Sequence, residues 1–175
     1  MATIDLIVLG IVKKEPMSAY DIQKLVEYRN ISRWVKISTP SIYKKVIQLE
    51  EKGYIKSTMV KEGKMAEKAV YSLTNDGEKE FKKLMLTISS QPINIFLDFN
   101  AVIVNLESLP PENRKDCLTE IKNNVTILKS YLEENMRSKG ELSGIPDTGK
   151  AVLQQQFVLA QVIEKWINSL ESELA

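Results

Sequence analysis

The chain has 175 residues, 43 % of them hydrophobic, which suits a protein that buries a core and leaves room for one large domain or two small ones. It holds no histidine and a single cysteine, Cys117, so imidazole bases, Ser-His-Asp triads, His-containing zinc sites and intramolecular disulfides are excluded. The net charge of +1 conceals a division: residues 1–90 carry 16 Lys+Arg against 11 Asp+Glu, a net of +5, and residues 91–175 carry 8 against 12, a net of −4.

That division predicts an N-terminal half that meets a polyanion and a C-terminal half with another task. The seven glycines are scattered rather than gathered into a phosphate-binding loop, and no paired carboxylates form a recognisable constellation. Neither enzymatic activity nor a metal or cofactor is expected. The apolar runs "LIVLGIV" and "NAVIVNL" fall far short of the ~18–20 residues that span a bilayer, and no basic region precedes the first. The expectation is a cytoplasmic protein.

The segment "TIDLIVLGIVKKEP" reads as a first helix, with Thr3 as N-cap, Asp5 in the first turn, Lys13 and Lys14 near the end and Pro16 beyond it. In "MSAYDIQKLVEYRN", Ser18 and Asp21 have the spacing of a capping box and Ile22, Leu25 and Val26 share one face, predicting a short second helix. The third is the most sharply marked. In "ISTPSIYKKVIQLEEKGYI", Thr39 is an N-cap, Pro40 suits the first helical position and Gly53 supplies a left-handed terminator, so the helix runs from about 40 to 52. Ile42, Val46 and Leu49 then face a core, and Ser41, Lys44, Lys45, Gln48 and Lys52 collect opposite them.

Next come "GYIKSTMV" and "KAVYSLT", two stretches rich in β-branched and aromatic residues, joined by "KEGKMAE" with Gly63 at the turn. Three helices followed by a hairpin predict a winged helix-turn-helix, with the third helix as the recognition helix. The wing lysines Lys61, Lys64 and Lys68 are placed to reach phosphates or a minor groove. A fourth helix capped by Thr74 carries the chain to a break at "SSQP", which puts a domain boundary near residue 90.

The second half reads as helical. An apolar segment spans about 93 to 107 and ends at "LPPE". A helix beginning near Pro111 carries Leu118, Ile121, Val125, Leu128 and Leu132 at spacings of three and four, and "SKGELSGIPDTGK" reads as a mobile loop. A last helix of about 25 residues repeats the spacing with Ala160, Ile163, Ile167, Leu170 and Leu174; these seams are expected to join a partner chain in a homodimer, through this helix or the one before it, with packing among the chain's own helices as the alternative.

Taken together, "LIVLGIV" with Leu9-Gly10, "PMSAYDI", "STPSIYKKVIQLEEKGYI" and "AVYSLTNDGEKEF" resemble the PadR family of bacterial transcriptional regulators, over roughly residues 4–90. The resemblance implies a mainly α protein: a winged-helix DNA-binding domain at 1–90 and a helical dimerisation domain at 91–175, as in the subgroup with the longer C-terminal domain. It further implies repression relieved by a small ligand, and it places Tyr20, Tyr43, Lys44 and the wing lysines at or near DNA. Ala19 stands where the family usually has glycine, a change that favours the helix. The wing carries lysine where many relatives carry arginine, so it supplies affinity more than sequence choice.

The mechanism expected from these readings is a homodimer that presents two recognition helices to a pseudo-palindromic stretch of double-stranded DNA. Ser41, Lys44 and Gln48 would contact base edges, Lys45, Lys64 and Lys68 phosphates, and Ser38 and Thr39 phosphates at the helix N-terminus. No residue is assigned to an effector. The competing expectation is a winged helix that docks a protein through the same face and binds no specific DNA.

Overall fold

The structure, a computed structural model, describes residues 2–61, 66–140 and 146–174. It divides into two compact units, Met1–Ile93 and Asn94–Ala175. The architecture is mainly α with a winged helix in the first unit and long helices in the second. Among the described residues no helix is long and apolar enough to cross a membrane.

Helix α1 (Ala2–Lys14) starts ahead of Thr3, so that residue lies within the helix rather than at its cap. Its buried residues Ile4, Val8, Leu9, Ile11 and Val12 occupy the middle of the core. A two-residue strand, β1 (Met17–Ser18), leads into α2 (Ala19–Tyr28). Ser18 is extended and accepts the Asp21 N–H at 3.2 Å, and its own hydroxyl donates to the Asp21 carboxylate at 2.7 Å. Ser18 is thus the predicted N-cap, but the Asp21 carboxylate takes the Ser18 hydroxyl rather than the Ser18 N–H that would complete a capping box.

A 3₁₀ turn at Ile31–Arg33 precedes α3 (Ser41–Glu51), which begins one residue later than expected. Pro40 is already in helical conformation and Thr39 stands two residues ahead of the helix. The entry turn is closed by main-chain bonds, from Ser41 N–H to the Ser38 carbonyl at 3.0 Å and from Ile42 N–H to the Thr39 carbonyl at 3.1 Å. At the far end Gly53 has φ +72°; its N–H donates to the Glu50 carbonyl at 2.8 Å and the Tyr54 N–H donates to the Leu49 carbonyl at 3.0 Å. These two bonds are those of a Schellman motif, which accounts for the glycine.

Strands β2 (Ile55–Val60) and β3 (Lys68–Leu73) pair antiparallel from Ile55 opposite Leu73 to Val60 opposite Lys68. Strand β1 adds to the other edge of β3, with Met17 opposite Tyr71, so the order is β1-β3-β2. Thr74 then caps α4 (Asn75–Ser89) by accepting the Gly77 N–H at 3.0 Å, and it donates to the Gly53 carbonyl at 2.7 Å. One hydroxyl thereby ties the end of α3 to the start of α4. Glycine is required at 77, because a Cβ there would lie 1.9 Å from the Tyr54 carbonyl oxygen. Helix α4 is joined to α1 by Lys13, which pairs with Glu78 and sits over the Phe81 ring at 5.5 Å.

In the second unit the apolar segment 93–107 is not one helix. It contains only α5 (Asn100–Ile103) and a 3₁₀ turn at Leu106–Ser108. Ile93, Ile95, Phe96, Leu97, Phe99, Val102, Ile103 and Val104 would occupy an arc of about 220° on a helical wheel, wider than one face of a continuous helix can bury. Helix α6 (Pro111–Gly140) follows, and Arg114 clamps its approach by donating to the carbonyls of Leu109 and Glu107 at 2.7 and 3.1 Å. Helix α7 (Asp147–Leu174) completes the unit. The expected loop around 138–150 is thus shorter than anticipated, with Ser138–Gly140 ending α6 and Asp147–Lys150 opening α7; Gly144 lies outside the described residues.

Helices α6 and α7 run antiparallel, in a register marked by two ion pairs one heptad apart, Lys122–Glu171 at 3.2 Å and Lys129–Glu164 at 2.5 Å. Between and beside them lie Leu118, Ile121, Val125 and Ile167, packed with Leu106, Phe99, Ile103, Ile163 and Leu170. This corrects the expected use of α7. Ala160 and Ile167 are 1 % and 0 % exposed within a single chain, and Ile163 and Leu170 join the same internal cluster. The seam expected to meet a partner chain is covered by the chain's own elements, and Leu174 is the last described residue of α7.

Candidate nucleic-acid interface

Helix α3 is seated by Ile42, Val46 and Leu49, all fully buried. That stripe turns Lys44 and Glu51 outward at the centre of the opposite face. Ser41 and Gln48 lie half-buried on one flank, and Tyr43 and Ile47, 54 % and 42 % exposed, on the other. Ser38 is exposed and Thr39 half-buried at the N-terminal end. The Ser41 hydroxyl donates to the Ser38 carbonyl at 2.5 Å, which leaves its oxygen as an acceptor toward a base edge.

Lys45 is placed differently from the sequence expectation. Its Nζ lies 2.8 Å from Asp5 Oδ1 of α1, and the two side chains are only 15 % and 14 % exposed. That carboxylate oxygen has no well-aligned hydrogen bond, so the ammonium is its electrostatic compensation. Lys45 braces the recognition helix against α1 and does not stand on the face that carries Lys44. Asp5, which sequence reasoning used only as a first-turn acid, is the missed partner; its signal was a charge inside the apolar run "IDLIVLGIV".

The wing is tied to the same helix. Strand β2 is an outer strand, and the Ser57 N–H is accepted by Glu50 Oε1 of α3 at 3.0 Å. Glu50 thereby sets the position of the wing beside the recognition helix. Tyr71 of β3 is buried nearby; burial first, then the charges of Glu50 and Tyr43, push its phenol up, so it stays neutral at physiological pH. Lys68 opens β3 and pairs with Asp21 of α2 at 3.7 Å, and Lys61 is exposed at the end of β2. Lys64 lies outside the described residues.

On α2, Tyr20 is 63 % exposed and the Lys24 ammonium sits 5.6 Å from its ring centre. A hydrogen bond from Lys24 to Glu27, at 2.9 Å, raises the lysine pKa and lowers that of the glutamate, which keeps both charged. The arrangement is a helix-turn-helix with a polar, hydrogen-bonding outer face and a hairpin anchored beside it. Residues 8–83 match the family model described as the transcriptional regulator PadR-like family.

Over residues 8–83 the chain is PadR-like.

This PadR-like chain is similar in fold to Bacillus subtilis PadR in complex with operator DNA, with a TM-score of 0.84, 22 % identity and 99 % of each chain covered. It is also similar to Bacillus subtilis PadR in complex with p-coumaric acid, with a TM-score of 0.80, 21 % identity and coverage of 97 % of this chain and 94 % of that one. A third likeness is to the Vibrio cholerae virulence activator AphA, with a TM-score of 0.72, 19 % identity and coverage of 98 % and 97 %. No curated relative matches the sequence. At these identities the structures speak for the fold, and the match over residues 8–83 is to a family of transcriptional regulators.

Proposed function

We propose that the chain is a sequence-specific repressor that binds a pseudo-palindromic operator as a homodimer. The observation that carries this reading is the outer face of α3: Lys44, Gln48, Ser41 and Tyr43 are left at the surface of a helix whose other side is fully buried, with the wing held next to it through Glu50. An α-helix fits the major groove, where lysine can donate to guanine and glutamine can pair with adenine. Ser38 and Thr39 stand where hydroxyl and main-chain donors meet phosphate at a helix N-terminus. Tyr20 and Lys68 flank the groove-facing elements.

Repression follows most simply from such a module, since a dimer seated on a promoter excludes polymerase by occupancy alone. The dimer is proposed to form through a second stripe of α7. Val158, Leu159, Val162 and Trp166 are all exposed, 59 % in the case of Val162, and lie roughly 60–160° round the helix from the internal seam. One helix partner covers one apolar stripe, so the second is suited to another copy of the chain. Release by a small aromatic ligand is proposed on the strength of the p-coumaric acid complex among the similar structures. The stacked pair Phe99 and Trp166, with centroids 6.1 Å apart, offers a fluorescence probe of it.

The test is selection of duplexes from a random pool, followed by footprinting. The reading expects two half-sites about one helical turn apart, on the order of 34 Å. Failure to enrich any sequence would instead favour docking of a protein on the α3 face.

A further inference from the structure

Resting on the DNA-binding reading, we infer that Ile47, flanked by Tyr43, reads the C5-methyl group of a thymine in each operator half-site. Ile47 is the anomaly of the recognition helix. The core is supplied by Ile42, Val46 and Leu49, each 0 % exposed, whereas Ile47 is 42 % exposed on a flank of the outer face, beside Tyr43, on a surface that otherwise carries Ser, Lys, Gln and Glu. Among the described residues it belongs neither to the buried core nor to the partly buried residues packed against that core.

The position selects the partner. Tyr43 precedes Ile47 by one turn, and both project roughly 100–130° round α3 from the centre of the buried stripe. Glu50, on the same side, holds Ser57 of β2, so this is the flank that faces the wing. Lys44 lies between that flank and the one bearing Gln48. A ligand on this surface must present negative charge or acceptors to Lys44 and Gln48 and, within one helical turn of them, an apolar group to Ile47. The major-groove edge of an A·T pair does this, because thymine is the base that displays a methyl group there. Gln48 and Ile47 are adjacent in sequence and point to opposite flanks, so the adenine and thymine requirements fall on neighbouring steps of the groove rather than on one pair.

The experiment uses the full chain and the operator recovered by selection. Each thymine is replaced in turn by deoxyuridine, which removes only the methyl group, and affinity is measured for the wild type and for Ile47→Ala. One thymine per half-site is expected to show a loss of about fourfold on replacement, the effect of exposing one methyl-sized group, and about 15-fold when both half-sites are changed. With Ile47→Ala the two operators should bind alike, while selectivity against scrambled DNA persists through Lys44 and Gln48. If every deoxyuridine operator binds the wild type as tightly as the parent while scrambled DNA does not compete, the inference is overturned and DNA binding stands. If a uracil-sensitive position keeps its sensitivity in Ile47→Ala, another residue reads the methyl and the assignment is overturned. If no operator can be recovered at all, the underlying reading fails and the inference falls with it.

Discussion

Replacing Lys45 by methionine separates two roles that look alike in the sequence. Lys45 was expected at phosphate, but its ammonium lies 2.8 Å from Asp5 with both side chains about one-seventh exposed, at 15 % and 14 %. At an effective dielectric of ~20 the gross attraction at that distance is about 6 kcal/mol, and most of it offsets the desolvation of the two groups. Removing one partner is a different matter, because it leaves a nearly buried carboxylate unpaired. Full burial would give about 3–5 kcal/mol; residual solvent contact here lowers the expected destabilisation to about 3 kcal/mol. The double change Asp5→Leu with Lys45→Met removes both charges and should recover most of that loss. Urea unfolding followed by circular dichroism measures the stabilities, and the salt dependence of operator binding measures phosphate contacts. Lys45→Met should leave the salt slope unchanged. A variant of wild-type stability whose slope is flatter by about one per protomer would refute the reasoning and return Lys45 to the DNA backbone.

Gly77→Ala should destabilise the first unit by about 3 kcal/mol despite the better helix propensity of alanine, since the new Cβ meets main-chain oxygen that cannot swing aside; a stability gain in urea would contradict the packing described. Glu78 is held below the ordinary carboxylate range first by its hydrogen bond from Lys13, so the stability it contributes is present above pH 4.5 and is lost as pH falls through its folded value. Glu78→Gln should therefore show a shallower loss of stability between neutral and acid pH than the wild type, and identical acid profiles would remove the α1–α4 ion pair from the account. Val162→Glu with Trp166→Glu should turn a dimer into a monomer by sedimentation without loss of helix content, whereas Ile167→Glu should unfold the second unit. A double variant that remains dimeric would place the interface elsewhere.

The features legible in the sequence were those determined by neighbouring residues. Ser18, Gly53 and Thr74 cap helix ends within a few positions of themselves, and each stands where local capping chemistry put it; the bond from Thr74 to Gly53 was not legible in that way. The buried stripe of α3 followed from periodicity for the same reason. What escaped was decided by partners far along the chain. Strand β1 is two residues long and exists because it pairs with β3 more than 50 residues later. Lys45 was separated from the other lysines only by Asp5, forty positions earlier. In α7 the sequence displays two apolar stripes, and only the register of Lys122–Glu171 and Lys129–Glu164 decides which of them faces α6. Ile47 passed unnoticed because one more isoleucine in an amphipathic helix reads as core until its exposure is known.

The central claim is that the face carrying Lys44 and Gln48 reads specific DNA, and the most direct measurement is a fluorescence-anisotropy titration of the full chain against a labelled duplex from the region upstream of its own gene, at several salt concentrations and with scrambled DNA as competitor. The account predicts tight binding that scrambled DNA does not displace, with affinity falling steeply as salt rises; six neutralised phosphates would give a slope of about −5 in log K against log salt. Lys44→Ala should weaken the preference over scrambled DNA, by about tenfold or more. Equal and weak binding to both duplexes, unchanged by Lys44→Ala, would contradict the claim.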